Sequence, residues 1–289
     1  MPAPPIERTA TLLVCCPDQR GIVAALAQLL HANGANILEA DQHTDRAAGM
    51  FFQRIHFDLA DLHGDRATLE SALEEVAGSL EMRWHLTYGE RRQRMAIFVS
   101  KTDHCLYDLL LRHQAGELRC DIPLVVSNHP THRSVAEQFG IPCRVFPISP
   151  ATKAAQEAAE LTLLAEQRID LVVLARYMQV LSAEFLASYA KPVINIHHSF
   201  LPAFSGARPY HQAVERGVKL IGATAHYATS ELDEGPIIEQ DVARASHRHS
   251  VADLVRKGRD VERSTLSRAV RWHLEDRVLV HGNKTVVFE

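Results

Sequence analysis

What this 289-residue sequence lacks excludes several classes of protein at once. It has no strong charge of either sign: 31 Lys and Arg stand against 35 Asp and Glu, a net −4. The broad electrostatic reason to bind nucleic acid or an anionic membrane is therefore missing. No apolar run approaches the roughly 20 residues of a membrane helix. The opening residues, MPAPPIERTA, have neither the charged start nor the apolar stretch of a secretion signal. The 5 cysteines are an odd number and show no C-x-x-C spacing, a pattern of reduced thiols that predicts a cytoplasmic protein. There is no internal repeat and no low-complexity tract. With 46% hydrophobic and 23% charged residues the composition is globular rather than disordered. A chain this long buries roughly 75% of its unfolded surface, so it needs no disulfide staples. Its length predicts about two domains. What stands out is histidine, 17 in all, serving as metal ligands, as proton-transfer groups or as surface background.

The pattern changes near Gly89-Glu-Arg-Arg-Gln-Arg94, which places the boundary between a first domain, 1–90, and a second, 91–289. In the first, Thr9 to Cys16 is β-rich and mostly apolar and stops at Pro17-Asp-Gln-Arg-Gly21. Ile22, Ala25, Leu26, Leu29 and Leu30 then mark one face of a helix that ends at Asn33-Gly34. Ile37–Thr44 and Phe51–Leu59 read as strands, the second with Phe51, Ile55, Phe57 and Leu59 on one face. Leu69, Leu73, Val76 and Leu80 mark a second helix, and Arg83–Tyr88 a last strand. The order βαββαβ is the ferredoxin-like arrangement. In the second domain, Met95–Val99, Pro123–Val126, Ile169–Leu174 and Val193–Ile196 are short apolar runs separated by helical stretches. That alternation predicts a Rossmann-like, mostly parallel α/β sheet covered on both faces. Ala151–Gln167 reads as a plain helix, and Ser250 to Asp276 as a helical end interrupted at Gly258.

Open parallel sheets carry their sites at the carboxyl ends of their strands, here after Val99, Leu174 and Ile194. The third is the richest: Asn195-Ile-His197-His-Ser-Phe-Leu-Pro202. Asn195 and His197 lie two apart, so at a strand end their side chains point the same way. An amide donor beside an imidazole can hold a carbonyl oxygen as it becomes tetrahedral, worth about 3–4 kcal/mol per donor. Another strand, Gly222–Tyr227, leads into Ser230-Glu-Leu-Asp233-Glu-Gly-Pro-Ile-Ile238. Asp233 in such a turn can return to His197, raise its pKa and orient a water; it can equally be an ordinary turn residue.

These segments resemble the signature of the folate-dependent formyltransferase fold, shared by the glycinamide ribonucleotide and methionyl-tRNA formyltransferases. Over the longer stretches His197–Phe204, Gly206–His211 and Gly222–Tyr227, the sequence is similar to the formyltetrahydrofolate deformylase family, which carries an ACT domain ahead of its hydrolase domain. The resemblance covers nearly the whole chain. It implies hydrolysis of 10-formyltetrahydrofolate to formate and tetrahydrofolate, with formate feeding purine biosynthesis and balancing one-carbon pools. No cofactor is implied; the folate is the substrate. By position, Asn195 would donate to the formyl oxygen and His197, as imidazolium, would stabilise the oxyanion. Asp233 would hold His197 charged and place the water. Tyr177, Met178, Gln179 and Leu181 match the segment whose backbone binds the pterin ring. Thr229, Ser230 and the residues up to Asp233 match the loop closing over it, and His226 matches a histidine lining the site. Two positions depart from the transferases: His198 stands where many have proline, and Ser230 where relatives are often acidic.

The trio serves hydrolase and transferase alike, so the acceptor decides. A phosphate-bearing acceptor calls for a glycine-rich nest at the first strand–helix turn. Val99-Ser-Lys-Thr-Asp-His-Cys-Leu106 has no glycine, and Asp103 would repel a phosphate, although Lys101 counts the other way. The net charge of −4 gives a tRNA acceptor little support. Hydrolysis is the reading; an amine-accepting transferase, a metallohydrolase and a non-catalytic folate or amino-acid sensor are the alternatives. Against a metal, His197, His198, His211 and His226 lack the usual zinc spacings, and adjacent rings on an extended strand face opposite sides. His31, His43, His63, His113, His247 and His249 read as solvated surface. Cys105, Cys120, Cys143 and the Cys15-Cys16 pair read as packing residues. In the first domain, Asp18–Ile22 and Asn33–Ile37 resemble the loops flanking the first ACT helix. This implies a homo-oligomer and an amino-acid effector site using Asp18, Gly21, Asn33 and Asn36, unless the module serves assembly alone. No nucleic-acid or membrane partner is expected.

Overall fold

The computed structural model describes residues 8–202 and 209–289. The parts of the His197–Phe204 and Gly206–His211 motifs that fall on 203–208 lie outside the described residues. The chain divides into two compact units. The first runs to Arg92 and takes in Asp276–His281 and Val286–Glu289; the second holds Gln93–Glu275 and Gly282–Thr285.

In the first unit the order is β1 (Thr9–Pro17), α1 (Ile22–Ala32), β2 (Asn36–Asp45), β3 (Met50–Asp58), α2 (Arg66–Ser79) and β4 (Arg83–Tyr88). The strands form an antiparallel sheet in the order β2-β3-β1-β4. Leu12, Val14 and Cys16 of β1 pack with Ile22, Leu26 and Leu30 of α1 and Leu69 and Leu73 of α2 in one core. Leu13 and Cys15 point the other way, as alternate strand residues must, into a second cluster with Phe52 and Phe288. Both cysteines are thus buried packing residues on opposite faces of one strand. Asp65 caps α2 by accepting from the Thr68 amide at 2.9 Å.

The second unit continues with β5 (Gln93–Val99), α3 (His104–Gln114), β6 (Cys120–Ser127), α4 (Arg133–Gln138), β7 (Cys143–Val145), α5 (Lys153–Glu166), β8 (Leu171–Leu174), α6 (Ala183–Tyr189) and β9 (Val193–His197). After it come α7 (Pro209–Glu215), β10 (Leu220–Tyr227), β11 (Ile237–Arg244) and α8 (Val251–Leu274), and the chain closes with β12 (Val278–His281) and β13 (Lys284–Val287). Its 7-stranded sheet runs β11-β10-β9-β8-β5-β6-β7, parallel from β9 to β7 and antiparallel at β10 and β11. The expected mostly parallel α/β architecture is the one observed. Every residue of β8 is buried, which is why that segment is apolar on both faces.

The expected break at Gly258 is corrected: α8 runs unbroken from its Ser250–Asp253 capping box to Leu274. Glycine is present because a Cβ there would collide with the Tyr210 hydroxyl, so it marks a close approach rather than a helix stop. Among the described residues no helix is long and apolar enough to cross a membrane.

Candidate active site

Three strand ends build the site. At β9, only Asn195 is partly open; its neighbours in the strand are buried. β10 runs antiparallel beside β9, so His226 sits directly opposite Asn195 and Thr224 opposite His197. That register explains the 3.2 Å contact of Asn195 Nδ2 with His226 Nε2. His226 Nδ1 lies 3.0 Å from the Tyr227 carbonyl, which only accepts, so Nδ1 carries the proton and Nε2 accepts from Asn195. The amide keeps a second N–H for a ligand. The Thr224 hydroxyl donates to the Ser199 carbonyl at 2.9 Å and accepts from the Leu201 amide at 3.1 Å, which pins the chain leaving His197.

Asp233 reaches in from the loop after β10. Its Oδ2 lies 3.1 Å from His197 Nδ1 and its Oδ1 3.6 Å from His226 Nε2. The His197 imidazole beside it holds its carboxyl well below the ordinary carboxylate range. Gly235 lets the loop turn this tightly, since a Cβ there would strike the Tyr227 carbonyl. Asp233 itself has φ 59°, a left-handed conformation unusual for a non-glycine residue and typical of functional loops. With Nδ1 engaged, His197 has its buried Nε2 without a partner among the described residues.

The facing wall follows β8. Arg176, also left-handed at φ 63°, turns the chain into the 177–181 segment. That segment is fixed from below: the Met178 amide donates to Ser100 Oγ at 2.8 Å, and Ser100 in turn donates to Asn128 at 2.7 Å. From α5, Lys153 donates to the Val180 carbonyl at 2.6 Å, Glu157 accepts from the Ser182 amide at 3.1 Å, and Glu160 accepts from the Tyr177 hydroxyl at 3.1 Å. Glu160 is fully buried; burial, opposed by the Tyr177 hydrogen bond, pushes its carboxyl up to about 7. The helix read as plain is therefore a support. Its acidic side chains at 157 and 160 share a face with buried Leu164, a signal in the sequence that went unread.

A cleft of about 430 Å³ lies between these walls, and Asn195, His197, Asp233, Tyr177, Met178, Gln179, Leu181, His226, Thr229 and Ser230 all line it. The cleft is also lined by Arg176, which was not among the expected site residues, and by His198, set aside on the premise that adjacent rings diverge. That premise is corrected. β9 ends at His197, and the His197 and His198 rings approach to 5.1 Å with an interplanar angle of 37°.

A second polar cluster lies behind. Glu262, 2% exposed, accepts from the Tyr210 hydroxyl at 2.9 Å and contacts His104 Nε2 at 2.8 Å and Arg176 Nε at 3.3 Å. Burial pushes Glu262 up, but His104 and Arg176 outweigh it and its carboxyl lies below the ordinary value. His104, Cys105 and Glu262 bring their ligand atoms within 4.8 Å of one another. The chemistry of that set does not suit a cation: the Arg176 guanidinium already supplies the charge at Glu262, and burial raises the Cys105 thiol well above its usual range. His104 and His132, with 9% and 5% exposure respectively, also correct the expectation that the remaining histidines are surface background. His31, His43, His63 and His247 are exposed, while His113, only partly exposed, bonds the Cys120 carbonyl. Cys105, Cys120 and Cys143 are buried.

The residues expected to hold an effector do not converge within the chain. Asp18 and Gly21 precede α1, whereas Asn33 caps its far end, with Nδ2 on the Leu29 carbonyl, and Asn36 opens β2. An 11-residue helix is about 16 Å long, too far for one small ligand to span.

Residues 93–270 match the formyl transferase family model and residues 10–77 the ACT domain model. Fold and site together thus define a formyl-transferase-type enzyme with an ACT domain ahead of it. The formyltetrahydrofolate deformylase of a Synechocystis species is 57% identical over 280 residues, covering 97% of this chain and 98% of that protein. The Bacillus subtilis formyltetrahydrofolate deformylase is 50% identical over 283 residues, 98% of this chain and 94% of that one. A crystal structure of the Pseudomonas syringae pv. tomato formyltetrahydrofolate deformylase superposes with a TM-score of 0.94 at 49% identity, over 97% of this chain and 94% of that one. The chain belongs to the formyltetrahydrofolate deformylase family.

Proposed function

We propose that this protein hydrolyses 10-formyltetrahydrofolate to formate and tetrahydrofolate, breaking a linear amide C–N bond with water as the acceptor. The observation that carries the reading is the buried, unpartnered Nε2 of His197 at the cleft, with Nδ1 held by Asp233 and Asn195 alongside. The pterin lies against the 177–181 backbone under the Thr229–Asp233 loop, with Tyr177, Met178, Gln179, Leu181, Thr229 and Ser230 as its surroundings. The formyl oxygen then meets the free N–H of Asn195 and a proton on His197 Nε2, two donors aimed where negative charge develops. Asp233 stabilises the protonated imidazole, and its remaining lone pairs orient the attacking water. His226 fixes the Asn195 amide. Formate is released as the nitrogen departs with a proton. The first unit serves as a regulatory and oligomerisation domain of a cytoplasmic homo-oligomer. Because the four effector candidates lie at both ends of α1, any amino-acid site there draws on one end from each of two copies.

The test is formate release from 10-formyltetrahydrofolate by the full chain with no amine present. Steady turnover is expected; a strict requirement for an amine acceptor would return the chain to the transferases.

A further inference from the structure

A second cavity, of about 220 Å³, adjoins the cleft, and Arg176 and His198 belong to the walls of both. It has room for several waters. His198 is therefore the imidazole standing between the folate cleft and this side chamber. Its ring and phenol neighbours are already committed: Tyr210 donates to Glu262, His104 contacts Glu262, and His197 contacts Asp233. His198 alone of this group has neither ring nitrogen engaged by another described residue. Burial, Arg176 and His197 lower it to about 4 against the opposing pull of Glu262 and Asp233, so the ring is neutral and keeps an acceptor nitrogen.

Hydrolysis needs such a group. In the reading above, Asn195 and His197 serve the formyl oxygen. Asp233 directs one oxygen at each of two histidines and is committed to them. We infer that His198 is a further catalytic residue, which holds the hydrolytic water supplied from the side cavity and takes up its proton. The water oxygen forms a bond to the formyl carbon as one of its protons passes to the His198 ring. When the C–N bond breaks, that proton is delivered to the departing nitrogen, and the formic acid formed ionises to solvent. No oxidant, metal or co-substrate enters the balance. The inference rests on the hydrolase reading and explains what the formyl-binding trio, common to transfer and hydrolysis, leaves unassigned.

The full chain with His198→Ala is expected to lose at least 100-fold in kcat while its Kd for tetrahydrofolate stays within about twofold. Added imidazole, entering the space left beside the side cavity, should restore at least tenfold with saturation. His198→Gln keeps the volume and a hydrogen-bonding oxygen but cannot take up a proton; it should fold with an unchanged Tm and show the same loss. Wild-type turnover in His198→Gln, or no rescue of a folded His198→Ala by imidazole, overturns the inference. A wild-type protein that releases no formate would instead remove the hydrolase reading itself.

Discussion

Two histidine–carboxylate clusters sit within one unit of this protein and behave in opposite ways. Around Glu262, both carboxylate oxygens have partners, Tyr210 on one and His104 and Arg176 on the other, and the group is sealed from solvent. Around Asp233, the carboxylate is partly open and the imidazole it orients has a nitrogen to spare. Residue type does not separate them, since each offers an acid and two imidazoles or an arginine. What separates them is access: Glu262 is 2% exposed, whereas Asp233 and His197 line the cleft. A buried carboxylate held on both oxygens gives rigidity to the element it lies on, here α8; one at a cleft holds a donor ready for a ligand.

The contrast can be broken by mutation. The largest effect is expected for Asp233→Asn, which should lower turnover by roughly two to four orders of magnitude, because the carboxylate that orients His197 and stabilises its imidazolium is lost, and leave Tm nearly unchanged. Near-normal turnover would take Asp233 out of the chemistry. Glu262→Ala should do the reverse in kind: a loss of about 3–5 kcal/mol in stability, because Arg176 and His104 are left buried and unpaired, seen as a Tm drop of roughly 10 °C. A variant with unchanged Tm would show that the cluster is not the support described. Glu160 sharpens the comparison, being a carboxylate buried with one oxygen unpartnered. Its folded value of about 7 lies above the ordinary 4.5, so the folded protein binds the extra proton between them. Its contribution to stability is complete below about pH 4.5 and is lost as pH rises through about 7, up to about 3 kcal/mol. Glu160→Gln should flatten that fall in a Tm profile from pH 5 to 8; an equally steep fall points to another group. The smallest effect is expected for Gly258→Ala. Helix propensity alone would raise stability by about 1 kcal/mol, whereas displacing Tyr210 from Glu262 should cost about 1–3 kcal/mol. A raised Tm would mean that the contact does not constrain the helix.

The same distinction bounds what was legible in the sequence. The apolar runs of β5, β8 and β9 announced a parallel sheet, because strands buried on both faces have no polar side to show. Asn195, His197 and Asp233 stood out because strand-end position and motif coincide. Glu262 and His104 did not. They lie 158 residues apart in the chain, and nothing local in either signals the other. His198 was misread for a local reason: the two-residue alternation of a strand was extended one residue past the strand's end. Gly258 was misread because the partner that demands it, Tyr210, comes from a different helix. The effector residues were legible only as two motifs flanking one helix, whose length sets them too far apart for one small ligand within a single chain.

The first unit's central strand is buried along its length, with the single exception of Pro17 at its end. One of its faces is covered by α1 and α2, made within the first hundred residues, but the cluster on the other face includes Phe288, with Leu279 and Val286 packed against it. During synthesis that face waits for the whole intervening unit to be translated. Leu13 and Phe52 meet their last partner only as the final residues emerge, so a fragment that ends near Arg92 would present an uncovered apolar face and be prone to association.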